Sequence, residues 1–266
     1  MTPPELDFRL RVLGSATLLV WAVLLFSPTT GFAANGDCGQ PVSNGAAPVA
    51  TDCLFILNAA VDGNGHLDET SQRLEYTCGS GTADDGEDWE WIATALPLDS
   101  NWEIQIDLVN LTVPSADNHV NSFGFGVYNP ADVGDEVYAE MYASSLGGPP
   151  ARNGFYGEMY NDDAYVGEAD SGGSDVTTGA VHMLFDSSSK VIYAQYDTDP
   201  SNGYQWITFG TFGIAGFGGS NGNANWGLSD SDVLNVYVYG FSARMKIGAG
   251  KMWGDNFVVT GGVPAP

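Results

Sequence analysis

Two matching stretches, Val-Tyr-Ala-Glu-Met-Tyr at 137–142 and Phe-Tyr-Gly-Glu-Met-Tyr at 155–160, constrain the fold most. In a β-strand alternate residues share a face. Each stretch therefore presents Tyr-Glu-Tyr on one side and Val or Phe, Ala or Gly, and Met on the other. A Gly/Pro-rich segment, Gly147 to Gly154, separates the two. Similar alternation runs from Trp89 to Thr260. Trp102, Ile104, Ile106 and Leu108 alternate with Glu103, Gln105 and Asp107. Phe123, Phe125 and Val127 alternate with Ser122, Gly124, Gly126 and Tyr128. Val181, Met183 and Phe185 form another strand, and Asp186 to Lys190 reads as a turn into a strand from Val191 to Tyr196. Further strands are expected at 204–214, 234–241 and 251–260. Gly, Asn, Asp and Ser clusters punctuate them without a helical period. Many strands at this spacing predict an antiparallel sandwich or barrel. The strands are shorter than the roughly ten residues of a membrane barrel strand, which argues against that architecture.

Residues 1–33 read as a secretory signal peptide. Arg9 and Arg11 lead into an apolar run from Val12 to Phe26, and Gly31-Phe32-Ala33 supplies small residues for cleavage. The run is shorter than the roughly 20 residues of a membrane span, and no later segment approaches that length. The expected location is outside the cell. The whole chain carries 8 basic and 33 acidic residues, a net charge of −25. The leader holds two of each sign, so the charge stays on the exported part. Such a surface repels nucleic acid, anionic lipid and acidic polysaccharides, and favours neutral sugars, cationic groups and calcium.

Residues 34–88 are expected to form a small segment ahead of the main domain. They contain all three cysteines, Cys38, Cys53 and Cys78. In an oxidising compartment one pair forms a disulfide, and the spacing leaves the choice of pair open. No CxxC unit is present, which argues against zinc. Leu54, Leu57 and Val61 fall at helical spacing after Thr51 or Asp52, a natural N-cap, so a short helix is expected at 50–61. This stretch resembles the half-repeat of dockerin type I modules, in which a calcium loop runs into a short helix. The loop positions here hold Pro41, Ser43 and Gly45, residues without carboxylates, so this loop is not expected to bind calcium. Asp62, Asn64 and Asp68 after the helix are the candidate calcium ligands. Their loop has Leu67 and Arg73 where an EF-hand has Gly and Glu, and a polar turn is the alternative. An acidic linker, Cys78 to Asp88, closes the segment.

The main domain spans 89–262. Its Trp-x-Ile-x-Ile-x-Leu strand at 102–108, its 181–197 hairpin ending in Tyr-Ala-Gln-Tyr-Asp, and Trp253-Gly-Asp-Asn-Phe-Val258 resemble concanavalin A-like lectin/glucanase domains. The resemblance implies an all-β, antiparallel jelly-roll sandwich with a short N-terminal helix ahead of it. It also implies a carbohydrate-holding concave sheet. That group includes lectins, glycosidases, lyases and adhesive domains, so fold alone does not settle function.

With apolar residues in the core, the other faces collect Glu103, Gln105, Asp107, Tyr128, Tyr138, Glu140, Tyr142, Tyr156, Glu158, Tyr160, Tyr193, Gln195, Tyr237 and Tyr239. Gly124 and Gly126 are expected to leave room beside them. Aromatic rings cover sugar C–H faces while carboxylates and amides bind hydroxyls. The competing reading is a solvated sheet face, because Tyr has high β propensity. Paired as a hairpin in the register Tyr138:Tyr160, Glu140:Glu158, Tyr142:Tyr156, the twin stretches would oppose two carboxylates across about 5 Å. A shift of two residues would separate them.

Glucanases of the resembled group carry a compact Glu-x-Asp-x-x-Glu strand, which this chain does not match. Only His119 and His182 remain in the β region for lyase chemistry. No Gly-x-Ser-x-Gly elbow supports a nucleophile triad. Gly216 to Asn223 follows a strand without opening a helix, so it is a loop and not a phosphate cradle. Asn110-Leu-Thr112 is a glycosylation sequon. The favoured reading is a secreted, non-catalytic carbohydrate-binding or adhesive domain for a neutral glycan or cell-surface polysaccharide, with self-association open. The alternatives are a glycoside hydrolase using Glu140 and Glu158, or a structural matrix or surface protein.

Overall fold

The computed structural model describes residues 59–62, 65–69, 73–79, 86–114, 119–145, 152–172 and 176–264. The strands, in chain order, are β1 (Ala59–Asp62), β2 (Gly65–Glu69), β3 (Leu74–Cys78), β4 (Gly86–Pro97) and β5 (Trp102–Asn110). The middle of the chain forms β6 (Val120–Asn129), β7 (Asp132–Ser144), β8 (Arg152–Asn161), β9 (Ala164–Asp170), β10 (Thr178–Asp186) and β11 (Val191–Asp197). After one 3-10 turn come β12 (Ile207–Gly213), β13 (Gly222–Asn223), β14 (Val233–Ala243), β15 (Ile247–Thr260) and β16 (Val263–Pro264). The first sheet has the order β1-β4-β14-β6-β7-β8-β9, with β16 on β4. The second runs β13-β12-β11-β10-β5-β15-β3-β2. Pairing is antiparallel except between β12 and the two-residue β13. The expected antiparallel jelly-roll sandwich is the architecture found.

Alternation explains which residues fill it. Trp102, Ile104, Ile106 and Leu108 are each at most 1% exposed, and they pack in one core with Phe123, Phe125, Val127, Val181, Met183 and Phe185. Burying an aliphatic or aromatic side chain of this size is worth about 1.5–3 kcal/mol. Trp102 stacks on Phe185 with ring centroids 5.1 Å apart, tying β5 to β10.

Ala59, Ala60 and Val61, expected as the last turn of a helix, lie in β1 and pair with β4. Two Ala favour a helix, but the run is short, and pairing with β4 supplies hydrogen-bond partners that override the local preference. The remainder of that expected helix, with Cys38 and Cys53 and any disulfide they form, lies outside the described residues. Cys78 is buried at the end of β3. Sheet pairing begins well ahead of Trp89: Leu67, Leu74, Tyr76 and Cys78 alternate into the common core.

The twin strands β7 and β8 do pair, but two residues away from the expected register. Tyr138 faces Glu158, Glu140 faces Tyr156, and Tyr142 faces Gly154. A two-residue slip keeps every apolar side chain on the core face, so burial does not oppose it. It replaces a carboxylate pair with two Tyr–Glu pairs, and like charges directly opposite are destabilising.

Candidate functional site

The polar-aromatic residues do not form one face. They divide between the outer faces of the two sheets, on opposite sides of the sandwich. On the first sheet, Tyr138, Tyr160, Tyr237 and Tyr239 form a second buried cluster, with Tyr128, Tyr156 and Phe241 packed against it. Gly124 and Gly126 do not open space there. A Cβ at Gly126 would fall 2.3 Å from the Tyr237 ring, and one at Gly124 would fall 2.2 Å from the Ala139 carbonyl oxygen. These glycines instead let neighbouring groups lie directly on the sheet.

The hydroxyls of this cluster are committed to carboxylates. Tyr237 donates to Glu136 Oε2 at 2.8 Å, and Tyr239 donates to Glu140. Glu158 accepts from Tyr138, Tyr156 and, at 2.8 Å, Tyr160. Tyr142 reaches Asp170 at 3.1 Å, and Asn235 donates to Tyr128. Glu136, Glu140 and Glu158 are all buried. Burial, then the neighbouring carboxylates, hold the Tyr142 and Tyr156 hydroxyls above the ordinary tyrosine range. A directly opposed carboxylate pair does exist, but it is Glu158 with Glu168 across β8 and β9. Tyr156 donates to both, at 2.6 Å for Glu168. Such a network is already satisfied by its own members.

The outer face of the second sheet is different. Thr208, Gln195, His182 and Gln105 stand opposite one another in turn across β12, β11, β10 and β5. His182 is buried beneath Trp206, with parallel rings 4.6 Å apart, and Trp206 stacks in turn on Tyr204 at 4.8 Å. Tyr204 is 38% exposed and caps this three-ring stack. Gln195 Oε1 meets His182 Nδ1 at 2.7 Å, and the Gln195 amide donates to Thr208. Glu103 lies 3.4 Å from His182 Nε2. Tyr204 donates to Asp107 Oδ1 at 3.0 Å, and Asn256 donates to Oδ2 at 2.7 Å. Burial raises the Asp107 carboxyl above its usual range against the pull of those two donors. Tyr193 sits half-buried between Leu184 and Thr211.

The stack is held by the connection from β11 to β12. Asp197, itself buried, accepts the backbone N–H of Asp199 at 2.8 Å and of Gln205 at 2.7 Å. One carboxylate thus closes both ends of the loop and turns Tyr204 and Trp206 back over the sheet. Sequence reading missed these two rings because it placed 204–206 inside a strand. The strand starts at Ile207, and the alternation Tyr204-Gln205-Trp206 was the available signal for two aromatics on one side. Among the other candidates, the Asp62 and Asn64 side chains lie outside the described residues. Asp68 lies in β2 and meets His66 at 3.1 Å. Among the described residues no group of three or more potential ligands could hold a metal ion. The sequon residue Asn110 is buried and donates its side-chain amide to Asn121, so the folded chain does not offer it for glycosylation.

No known family pattern and no curated protein matches the sequence. Solved structures align with it at low identity. The Emp46p carbohydrate recognition domain in its potassium-bound form is 6% identical, with 75% of this chain and 88% of that one covered and a TM-score of 0.45. Lectin II from Ulex europaeus is 10% identical, with 77% and 92% covered and a TM-score of 0.45. The marine PL7 alginate lyase AlyA1 from Zobellia galactanivorans is 11% identical, with 73% and 80% covered and a TM-score of 0.44.

Proposed function

We propose that the protein is a secreted, non-catalytic carbohydrate-binding sandwich whose ligand rests on the outer face of the second sheet. The observation that carries this reading is the partly exposed Tyr204–Trp206 stack beside a row of side-chain amides and hydroxyls. The outer face of Tyr204 would cover the C–H face of a sugar, while Gln105 and the remaining hydrogen-bonding capacity of Gln195 and Thr208 would meet its hydroxyls. The leader at 1–33 supports export. The net charge of −25 argues for a glycan without acidic groups, such as a cell-surface polysaccharide. The test is affinity electrophoresis against a panel of neutral and aminated polysaccharides, with wild type and Trp206→Ala. Retardation lost in the variant supports the reading. Equal retardation of both proteins, or none with any polysaccharide, overturns it.

Hydrolysis is a second reading with one observation behind it. Glu158 and Glu168 reach the same hydroxyl, and retaining glycosidases place their two carboxyls about 5–5.5 Å apart. Reducing-end release that disappears in Glu168→Gln would support it. Absence of release by wild type on the same panel would remove it.

A further inference from the structure

We infer that the Tyr204–Trp206 face selects glycans bearing protonated amines, amino sugars without N-acetyl groups, over neutral ones. This rests on the carbohydrate-binding reading above and narrows its ligand class. Glu103, Asp107, Asp197 and Asp255 occupy the outer positions of this face, with Asp107 directly opposite Asp255. The nearest Arg and Lys on the described part of this face are Arg73, which directly precedes Leu74, the partner of Gly254 next to Asp255, and Lys251, beyond Trp253 along β15. Arg73 is occupied by Glu75 at 2.7 Å and by the Trp253 ring at 4.2 Å.

Three of these carboxylates have structural work. Asp197 closes the loop, Asp107 holds Tyr204 and Asn256, and Asp255 accepts the Asn256 N–H. Glu103 stands apart. Its side chain is 55% exposed, and its one contact among the described residues is His182 Nε2 at 3.4 Å. A carboxylate has about four lone-pair sites, so most of the acceptor capacity of Glu103 is open to a ligand. His182 also lies under Trp206, which puts that carboxylate at the border of the aromatic stack. An ammonium group there gains a charge-assisted hydrogen bond. A hydroxyl in the same place gains only a neutral donor's bond, and an N-acetyl group brings no charge.

The test uses the full exported chain and three oligosaccharide hexamers: glucosamine, N-acetylglucosamine and glucose linked β-1,4. Binding is measured by calorimetry at pH 6 in low and moderate salt. We expect the glucosamine hexamer to bind about tenfold more tightly than the other two, as a charge-assisted bond implies. Salt should erode that margin. Glu103→Gln should bring the affinity for the glucosamine hexamer down to that for the neutral hexamers without lowering the melting temperature. Equal affinity for all three hexamers, or a preference that survives in Glu103→Gln, overturns the amine selectivity and leaves the carbohydrate-binding reading in place. Failure to bind any hexamer, with none of the polysaccharides retarding the protein, overturns both.

Discussion

Glu158 and Glu168 stand directly opposite each other across β8 and β9, and the single hydroxyl of Tyr156 reaches both. One phenolic proton serves two carboxyl groups, so the ring is the only bridge between them among the described residues. Tyr156→Phe keeps the ring and removes the bridge. It should cost about 1–3 kcal/mol, the range for leaving a partly buried polar group without its donor. Urea unfolding measures this, and Glu168→Gln added to the variant should restore part of the loss by removing the facing charge. A Tyr156→Phe midpoint equal to wild type would show that the bridge contributes nothing.

The loop that carries Tyr204 and Trp206 depends on one carboxylate. Asp197→Ala removes the acceptor for two backbone N–H groups at opposite ends of residues 199–205. Hydrogen exchange across that segment should speed up by at least tenfold, while exchange in β10 and β11 stays close to wild type. Glycan binding should weaken in parallel, since a stack that is no longer pre-organised must be ordered on binding. Unchanged exchange in the loop would mean that the ring stacking alone fixes it.

Gly126 is a position where the first sheet tolerates no side chain. The Tyr237 ring occupies the place of a Cβ, 2.3 Å away, while its hydroxyl is tied to Glu136. Gly126→Ala must push that ring off the sheet and strain or break the bond to Glu136. Overpacking of this kind costs about 1–3 kcal/mol. A fall in the urea midpoint checks it. The same substitution in a Tyr237→Ala background should be nearly neutral, and a full-size cost there would place the strain elsewhere.

Period-two alternation was enough to read the sandwich and most of its core, because each of Trp102, Ile104 and Ile106 has a polar neighbour on either side and is buried as that pattern requires. Alternation says nothing of which strands share a sheet. Glu103, Gln105 and Asp107 therefore appeared to continue the face of Tyr138 and Glu140, although β5 and β7 belong to different sheets. The twin repeat also satisfies the core equally in registers two residues apart, so hydrophobicity could not choose between them. Tyr204 and Trp206 were hidden for another reason. Their position comes from the loop geometry set by Asp197, and a side chain closing a loop from within leaves little periodic trace.

The buried hydroxyls make a prediction for alkaline pH. Tyr142 and Tyr156 both have folded-state values raised above the ordinary 10.0, first by burial and then by the carboxylates beside them. A raised value means that the folded state holds these protons more tightly than the unfolded chain. Their contribution is therefore fully present below pH 10 and is lost as the pH climbs above it. Each tyrosine can remove up to about 1.4 kcal/mol per pH unit once the unfolded chain ionises. Urea unfolding at pH 9, 10 and 11 should show stability that is flat and then falls. Phenolate absorbance at these two residues should appear only together with unfolding. In the Tyr142→Phe/Tyr156→Phe double variant the fall between pH 10 and 11 should be shallower, even though the variant starts from lower stability. A slope equal to wild type would mean that the hydroxyls ionise within the folded protein and that burial does not hold their protons.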